Sequence, residues 1–336
     1  MYKYILLFIL YIPIFSAIYY LNQIAGILEF ILWMIMYLSI FYFFHVLWRY
    51  YRKKDYLHII EYAKKFYISL ATLLLFSVWI LWSFWYYQLI HKPLNLEQIT
   101  ISNWDKTVVF QKMIHIAKSD YYSGIASDIE NHKNNGYVYY FEWVKWWTDE
   151  SINTFNKALW IEFDLNLYDN LSKLYWLVPQ NNLDFLNIIN TQDYNIDMNI
   201  DEIISEYESL KVSKNIVKEY EPPIDINTEI INTLSELSSR QLEVLQFVNL
   251  TFLTTLTKNE EFLQSIQNSF WNQLLFEIIL EWRNKVVIEK IINSEDKKIF
   301  ATYWALHFDG IFTWLQENDP NWKIISTKSF FPFQGK

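Results

Sequence analysis

Three long apolar runs occupy most of the first ninety residues of the chain, at positions 4–21, 27–48 and 67–90. A helix needs about 20 apolar residues to cross the hydrocarbon core of a bilayer, and each run is long enough. A signal peptide is an alternative for the first run, because Lys3 precedes it, but no small-residue cleavage site follows. A buried core helix is an alternative for any single run. Together the runs predict an integral membrane protein with three transmembrane helices in residues 1–92.

Basic residues mark the segment between the second and third runs. The short segment NQIAG between the first two runs has no Lys or Arg, whereas the later segment carries Arg49, Arg52, Lys53, Lys54, Lys64 and Lys65. The positive-inside rule places this basic segment in the cytoplasm. The rest of the chain then lies on the outer side of an inner or plasma membrane, in the periplasm or outside the cell. Beyond setting this topology, the segment is also suited to contact anionic lipid headgroups.

Cysteine and charge exclude several functional classes. The chain has no cysteine, which excludes disulfides, cysteine-ligated zinc, iron–sulfur clusters and a thiol nucleophile. The net charge is −9, and no long basic stripe occurs in the C-terminal part, which argues against a nucleic-acid partner. The sequence indicates neither an oligomeric state nor a redox compartment.

Strand and helix patterns alternate from about residue 100. TVVFQKMIHIA is a continuous apolar run of strand length, typical of a strand buried on both faces. Ser119 and Asp120 favour a helix start, Gly136 favours a stop, and YVYYFEWV follows as a second strand. This βαβ pattern predicts two parallel strands. Residues 150–295 are mostly helical, and strands return in KKIFATYWALHF and NWKIISTKSF. We therefore expect residues 100–336 to form an α/β domain: a mixed sheet with a parallel βαβ start and a helical insertion.

Two histidines and a glutamate fall at the ends of predicted strands: His115, Glu142 and His307. If these strands are parallel, the three residues lie at the carboxyl edge of one sheet, where open α/β sheets bind ligands. Two imidazoles and one carboxylate can bind a divalent metal ion and leave positions open for water and substrate. Asp309, two residues after His307, could instead accept a hydrogen bond from a metal-bound histidine and orient its ring. The alternative is that the histidines are ordinary surface residues at strand ends.

Arg283 and an acidic run each allow two interpretations. Arg283 either binds a substrate carboxylate or positions Glu142 through a bidentate pair, or it belongs to a surface ion pair with Glu277 or Glu289. The acidic run is interpreted as the solvated start of a helix rather than as a cation site. Its members are Asp193, Asp197, Asp201 and Glu202.

Four segments, in this order, resemble the TraB/PrgY–Tiki superfamily, which includes the erythromycin-esterase and ChaN-like groups: VVFQKMIHIAKSDYY, GYVYYFEWV, EWRNKVVIEKI and ATYWALHFDG. The family carries a GxxH motif on an early strand, a glutamate after the next strand, an Arg-Asn pair on a late helix and a second GxxH motif. The matching positions here are His115, Glu142, Arg283 with Asn284, and His307. The resemblance covers about residues 105–327, although residues 150–270 match only in helical character.

The resemblance implies a Tiki/TraB-like fold and a membrane-anchored, metal-dependent hydrolase. Tiki-like members are described as membrane-tethered metalloproteases, and TraB/PrgY members are linked to the shutdown of peptide pheromones. By analogy, His115, His307 and Glu142 would hold a divalent metal ion, and Glu142, Arg283 and Asn284 would be catalytic. The substrate would be a peptide or a protein.

Both motif glycines are replaced in this chain, by Lys112 and by Trp304. Glycine at such positions lets backbone or ligand approach closely, and a bulky replacement fills the space that a substrate would occupy. A second hypothesis is therefore a pseudoenzyme: a non-catalytic membrane-bound family member that sequesters a peptide or protein partner. A third is a purely structural multi-span protein.

Overall fold

The computed structural model divides the chain into two compact units, Met1–Tyr87 with Glu236–Val244, and Gln88–Ser235 with Leu245–Lys336. The sequence suggested a boundary slightly later, between residues 92 and 100, and gave no sign that Glu236–Val244 belongs to the first unit. The structure describes residues 2–55, 57–143, 147–162, 166–214, 223–258 and 272–334.

Two long apolar helices form the first part of the chain, α1 (Tyr2–Tyr51) and α2 (Ile59–Trp85), and α2 continues into a π-helical turn at Tyr86–His91. Their large apolar side chains remain exposed, Phe44 and Trp79 among them. Soluble monomers rarely expose apolar surface of this extent, whereas a lipid-facing helix presents it as a rule.

The number of candidate membrane spans is two, Tyr11–Tyr51 and Ile59–His91, judged by the length and composition of the described helices. The structure has two candidate spans rather than the three predicted, because the first two runs both belong to α1, as two helical segments that meet at Gln23. The expected loop NQIAG stays helical except at Gln23 (φ 55°, ψ −147°). The rings of Phe15 and Phe30 lie 5.9 Å apart, whereas fifteen residues of straight helix span about 22 Å. The helix therefore folds back on itself at Gln23.

A six-stranded mixed sheet lies at the centre of the second unit, with the strand order β6-β4-β7-β2-β1-β8. β2, β7, β4 and β6 are parallel, and β1 is antiparallel to both β2 and β8. A separate short ladder pairs β3 with β5. The strands are β1 (Leu96–Ser102), β2 (Thr107–Met113), β3 (Ile116–Ala117), β4 (Val138–Phe141), β5 (Val178–Pro179), β6 (Tyr194–Asn195), β7 (Lys298–Trp304) and β8 (Lys323–Phe330).

Helices pack on both faces of the sheet and make up much of the described chain between β4 and β7. In chain order they are α3 (Ser119–Asn134), α4 (Asp149–Leu159), α5 (Leu167–Leu174), α6 (Asn182–Leu186), α7 (Ile200–Ser213), α8 (Ile226–Glu236), α9 (Ser239–Thr257), α10 (Gln273–Glu277), α11 (Arg283–Asn293) and α12 (Phe308–Asn318). A π-helical turn, Ile278–Trp282, joins α10 to α11, and a 3₁₀ turn, Ala305–His307, precedes α12. The α/β class, the mixed sheet and its parallel β2–α3–β4 start are confirmed, and β7 lies between the two strands.

Each face of the sheet packs a different group of helices. Val109 on β2 contacts the core that α3 completes with Ile125 and Ile129. Val108, the neighbouring residue, belongs to the opposite core, which is built with α11 and α12. Because successive strand residues point to opposite faces, the unbroken apolar run of β2 is explained by burial on both faces, as its composition predicted.

Candidate functional site: a buried polar cluster at the carboxyl edge of the sheet

Three parallel strands deliver the predicted site residues to one edge of the sheet. Glu142 follows the last residue of β4, His115 lies two residues beyond β2, and His307 ends the 3₁₀ turn after β7. β7 pairs in parallel with both β2 and β4, so these strand ends are neighbours. All three strands stop before the polar residue that the sequence placed at their ends, and only His307 lies in a regular turn.

The Arg283 guanidinium connects two carboxylates inside the cluster. Its Nε donates to Asp197 Oδ1 at 2.7 Å, and its Nη2 donates to Asp197 Oδ2 at 2.9 Å and to Glu142 Oε1. Arg283 is only 7% exposed. The surface ion pair considered from the sequence does not form, because Glu277 pairs with Lys214 and Glu289 pairs with Lys285. The bidentate pair expected with Glu142 forms with Asp197 instead, and Arg283 contacts Glu142 through Nη2 alone.

Asp197 corrects the expectation that the acidic run is a solvated helix start. Its side chain is fully buried against Arg283, and Asp193 is buried in an ion pair with Lys133. The expectation fits Glu202, which forms a capping box with Asn199 at the start of α7. Asp193 and Asp197 are buried, unlike Glu202, because β6 pairs with β4 in the sheet. This pairing places the acidic residues on either side of β6 in the core.

His307 is completely buried, and its two ring nitrogens have different surroundings. Nδ1 lies 2.7 Å from Asn284 Oδ1. Because this amide oxygen can only accept a hydrogen bond, Nδ1 carries the proton and Nε2 is a bare acceptor. Nε2 has no hydrogen-bond partner and lies 3.9 Å from Glu142 Oε1. Asp309 is exposed at the start of α12, so Asn284 orients this histidine and Asp309 does not.

Trp304 occupies the space next to both histidines. Its indole ring lies 6.1 Å from the His115 ring and 6.2 Å from the His307 ring, measured between centroids. Its backbone N–H donates to Glu142 Oε2 at 2.7 Å, so both carboxylate oxygens of Glu142 accept hydrogen bonds from the protein. Lys112, the other replaced glycine position, directs its ammonium group to the Phe308 ring, 4.9 Å from the centroid.

Tyr168 on α5 is a member of this site that sequence analysis missed. Its ring lies 4.5 Å from the His115 ring at an interplanar angle of 31°. Burial, together with the charge of Glu142, raises the pKa of Tyr168 to about 12. No motif surrounds Tyr168 in the sequence, and only the packing of α5 against the β3–β5 ladder carries it to the sheet edge.

Burial sets the protonation of the cluster, and Arg283 modifies it. Burial lowers the pKa of His307 to about 4, although Glu142 opposes the shift, and burial likewise lowers the pKa of His115. Burial raises the pKa of Asp197 to about 6, against the pull of Arg283. Burial would raise the pKa of Glu142 as well, but Arg283, His307 and the Trp304 N–H together bring that pKa below its ordinary value. Both histidines are neutral at pH 7.

The donor set as packed does not fit a catalytic divalent metal ion. No group of three or more His, Asp or Glu side chains in the described residues lies close enough to hold one, whereas catalytic zinc sites use three protein ligands. Within the cluster, His307 Nε2 and Glu142 Oε1 lie 3.9 Å apart. Arg283 donates to the same Glu142 oxygen, and its positive charge repels a metal cation there.

Comparison of the chain with protein-family models, with curated proteins and with solved structures finds no match.

Proposed function

We propose that this chain is a membrane-anchored α/β protein of the TraB/Tiki type that binds a peptide or protein partner without hydrolysing it. The observation that carries this proposal is that the polar side chains of the site hydrogen-bond to other groups of the protein itself. Arg283 is shared between Asp197 and Glu142, and both Glu142 oxygens accept hydrogen bonds from the protein itself. A hydrolase must present such groups to substrate and water.

The packing of Trp304 supports the same proposal. Reacting atoms must come within about 3–3.5 Å of each other in a productive complex. The Trp304 indole stands beside both imidazoles, where a scissile bond or a nucleophilic water would have to enter.

The membrane orientation belongs to this proposal. The basic residues at the end of α1 and the start of α2 favour the cytoplasmic side, so α2 carries the chain outward and the α/β unit lies on the outer side. This orientation follows from α2 and is the same whichever way α1 lies in the bilayer.

Single-cysteine labelling tests the orientation cleanly, because the chain has no cysteine of its own. Arg52→Cys lies in the basic segment, and Trp104→Cys replaces a residue that is 85% exposed between β1 and β2. In right-side-out vesicles, a membrane-impermeant maleimide should label the Trp104→Cys variant at once and the Arg52→Cys variant only after permeabilisation. The opposite pattern would place the α/β unit in the cytoplasm.

A second candidate, the metal-dependent peptidase, is favoured by one observation. His307 Nε2 is a buried acceptor without a partner, and leaving such a group unsatisfied costs about 1–3 kcal/mol. A cation or a water at this nitrogen would remove that cost. For three ligands to assemble, Trp304 would have to swing out and His115 would have to join His307 and Glu142.

Metal content and peptide hydrolysis, measured on the purified full chain, separate the two candidates. The binding protein should retain well under one divalent metal ion per chain after equilibration with micromolar Zn²⁺ or Mn²⁺, and it should cleave no peptide. One metal ion per chain that is lost in both His115→Ala and His307→Ala, together with cleavage, would establish the peptidase. Activity that appears only in a Lys112→Gly, Trp304→Gly double variant would show that bulky packing blocks an otherwise complete site.

A further inference from the structure

β8 is an edge strand of the sheet, and both of its faces are largely open. In the described strands it pairs with β1 on one side only. Every residue from Lys323 to Ser329 is exposed, including Ile324 and Ile325 at 48% and 62%. A strand edge of this kind presents a row of backbone N–H and C=O groups that a further strand can bond.

The regular part of this edge is short and well defined. The pairing of β8 with β1 shifts between Thr100 and Ile101, so that Ile325 has no partner and forms a bulge. Bulges and protruding lysines commonly protect sheet edges from unwanted pairing. Here the bulge leaves residues 326–330 in regular register. The side chain of Lys328 points toward α3, where its ammonium donates a hydrogen bond of 2.7 Å to Asp128. Lys328 therefore does not block strand pairing along residues 326–330.

A polar groove of about 480 Å³ runs beside this stretch, between β8 and α3. Its carboxylates, those of Asp120 and Asp128, outnumber its one ammonium, that of Lys328, which gives the lining a formal charge of −1. Gly124 forms part of the wall, and a Cβ built there would meet nothing within 4 Å. The remaining lining residues are Ser123, Ser127 and Asn131.

We propose that an extended segment of a partner protein adds to β8 as a seventh strand of the sheet and places a basic side chain in this groove. Backbone hydrogen bonds to residues 326–330 would supply affinity, and the carboxylates would select Lys or Arg. Because alternate residues of a strand share a face, the segment carries its basic residues at every second position. This inference rests on the proposed binding function and names the surface and the class of partner.

A pair of synthetic peptides tests the proposal on the full chain in zwitterionic nanodiscs. The probe is a fluorescent seven-residue peptide that alternates Lys with Thr, and its counterpart has Glu for Lys. A third peptide keeps the lysines but carries N-methyl groups on alternate backbone amides, which blocks strand pairing and keeps the charge. We expect saturable binding of the Lys peptide, at least tenfold weaker binding of the other two, and slower hydrogen exchange at residues 326–330 in the complex.

Matched variants on α3 locate the binding. Asp120→Lys reverses a charge inside the groove, and Glu130→Lys makes the same change at an exposed position of α3 outside it. The groove variant should weaken binding of the Lys peptide at least tenfold, and the control variant less than threefold. Equal losses in both variants would overturn the proposal, since they would indicate non-specific attraction.

Three further outcomes would also overturn it: no saturable binding of the Lys peptide below about 1 mM, binding that N-methylation leaves unchanged, and a β8-dependent dimer of the chain that the peptide fails to dissociate. Failure of the proposed function has a different signature. If the Lys peptide binds at β8 as expected but is cleaved, the docking surface stands and the non-catalytic role is wrong.

Discussion

Asn284 holds His307 by a hydrogen bond of 2.7 Å between Asn284 Oδ1 and His307 Nδ1, and the other ring nitrogen, Nε2, is buried without a hydrogen-bond partner. The two residues come from α11 and from the 3₁₀ turn before α12. Their contact therefore depends on how closely these two segments approach each other.

Gly310 controls that approach. A Cβ built at Gly310 would overlap Nδ2 of Asn284, so Gly310→Ala must shift either the amide or α12. We expect a loss of about 1–3 kcal/mol in the free energy of unfolding, as for other overpacked core positions. The measurement is denaturant unfolding of the full chain in detergent.

Gly124→Ala is the matched control, because Gly124 also lies in a helix and its Cβ would meet nothing. There the loss of glycine's backbone freedom should stabilise the protein by about 0.5–1 kcal/mol. Equal effects of the two alanines would mean that Gly310 is not holding a place for Asn284.

Arg283 should be the largest single contributor to the stability of the cluster. Arg283→Met leaves Asp197 and Glu142 buried with no cation between them, and breaking a buried pair in this way costs about 3–5 kcal/mol. Lys285→Met removes an exposed ion pair with Glu289 on the same helix and should cost about 0–1 kcal/mol. Unfolding midpoints of the two variants measure the difference. A loss below about 1 kcal/mol for Arg283→Met would show that the carboxylates are satisfied elsewhere.

The sequence was sufficient to predict the strands that carry the cluster but insufficient for the partners that complete it. β2, β4 and β7 are apolar runs that can be recognised from a few neighbouring residues alone. The sheet edge at which these strands end, and the residues that lie there, could therefore be inferred from the sequence. Asp197 and Tyr168 sit in polar or motif-free surroundings, and only β6 pairing and α5 packing bury them. β1, LEQITIS, is a strand too polar to be recognised beside its apolar neighbours. The fold-back of α1 depends on a single residue, Gln23, whose type is compatible with a helix.

His307 and Asp197 should make opposite contributions to the pH dependence of the wild-type protein's stability between pH 6.5 and pH 5. The pKa of His307 is about 4 in the folded state and about 6.5 when unfolded. As the pH falls, the unfolded chain binds the proton first, and stability drops by about 1.5 kcal/mol over this window. The pKa of Asp197 is about 6 when folded, above its ordinary value. Here the folded state binds the proton first, and stability rises by about 1 kcal/mol.

Removing one of the two groups should change how stability depends on pH in the direction set by the group that remains. On acidification from pH 6.5 to pH 5, Asp197→Asn should lose more stability than the wild-type protein, and His307→Asn should lose less or gain. The lowered pKa of His115 contributes the same loss to both variants. The comparison stays above the range in which Glu142, whose pKa is below its ordinary value, takes up a proton. Thermal unfolding of each variant at closely spaced pH values gives the slopes. Parallel profiles for the two variants would contradict the opposite protonation behaviour of these residues.

Trp304 should control the access of water to His307. In Trp304→Ala the indole beside both histidines is gone, so His307 becomes hydrated and its pKa should rise from about 4 toward 6.5. Its Nε2, already deprotonated and facing Glu142, should then react with an acylating reagent at least tenfold faster than in the wild-type protein. Peptide mapping after brief treatment with the reagent identifies the modified histidine among the six in the chain. Trp104→Ala, at a residue that is 85% exposed, serves as the control and should leave the reaction rate at His307 unchanged. If His307 stays unreactive without the indole, the surrounding helices, and not Trp304, exclude water and reagent from this histidine.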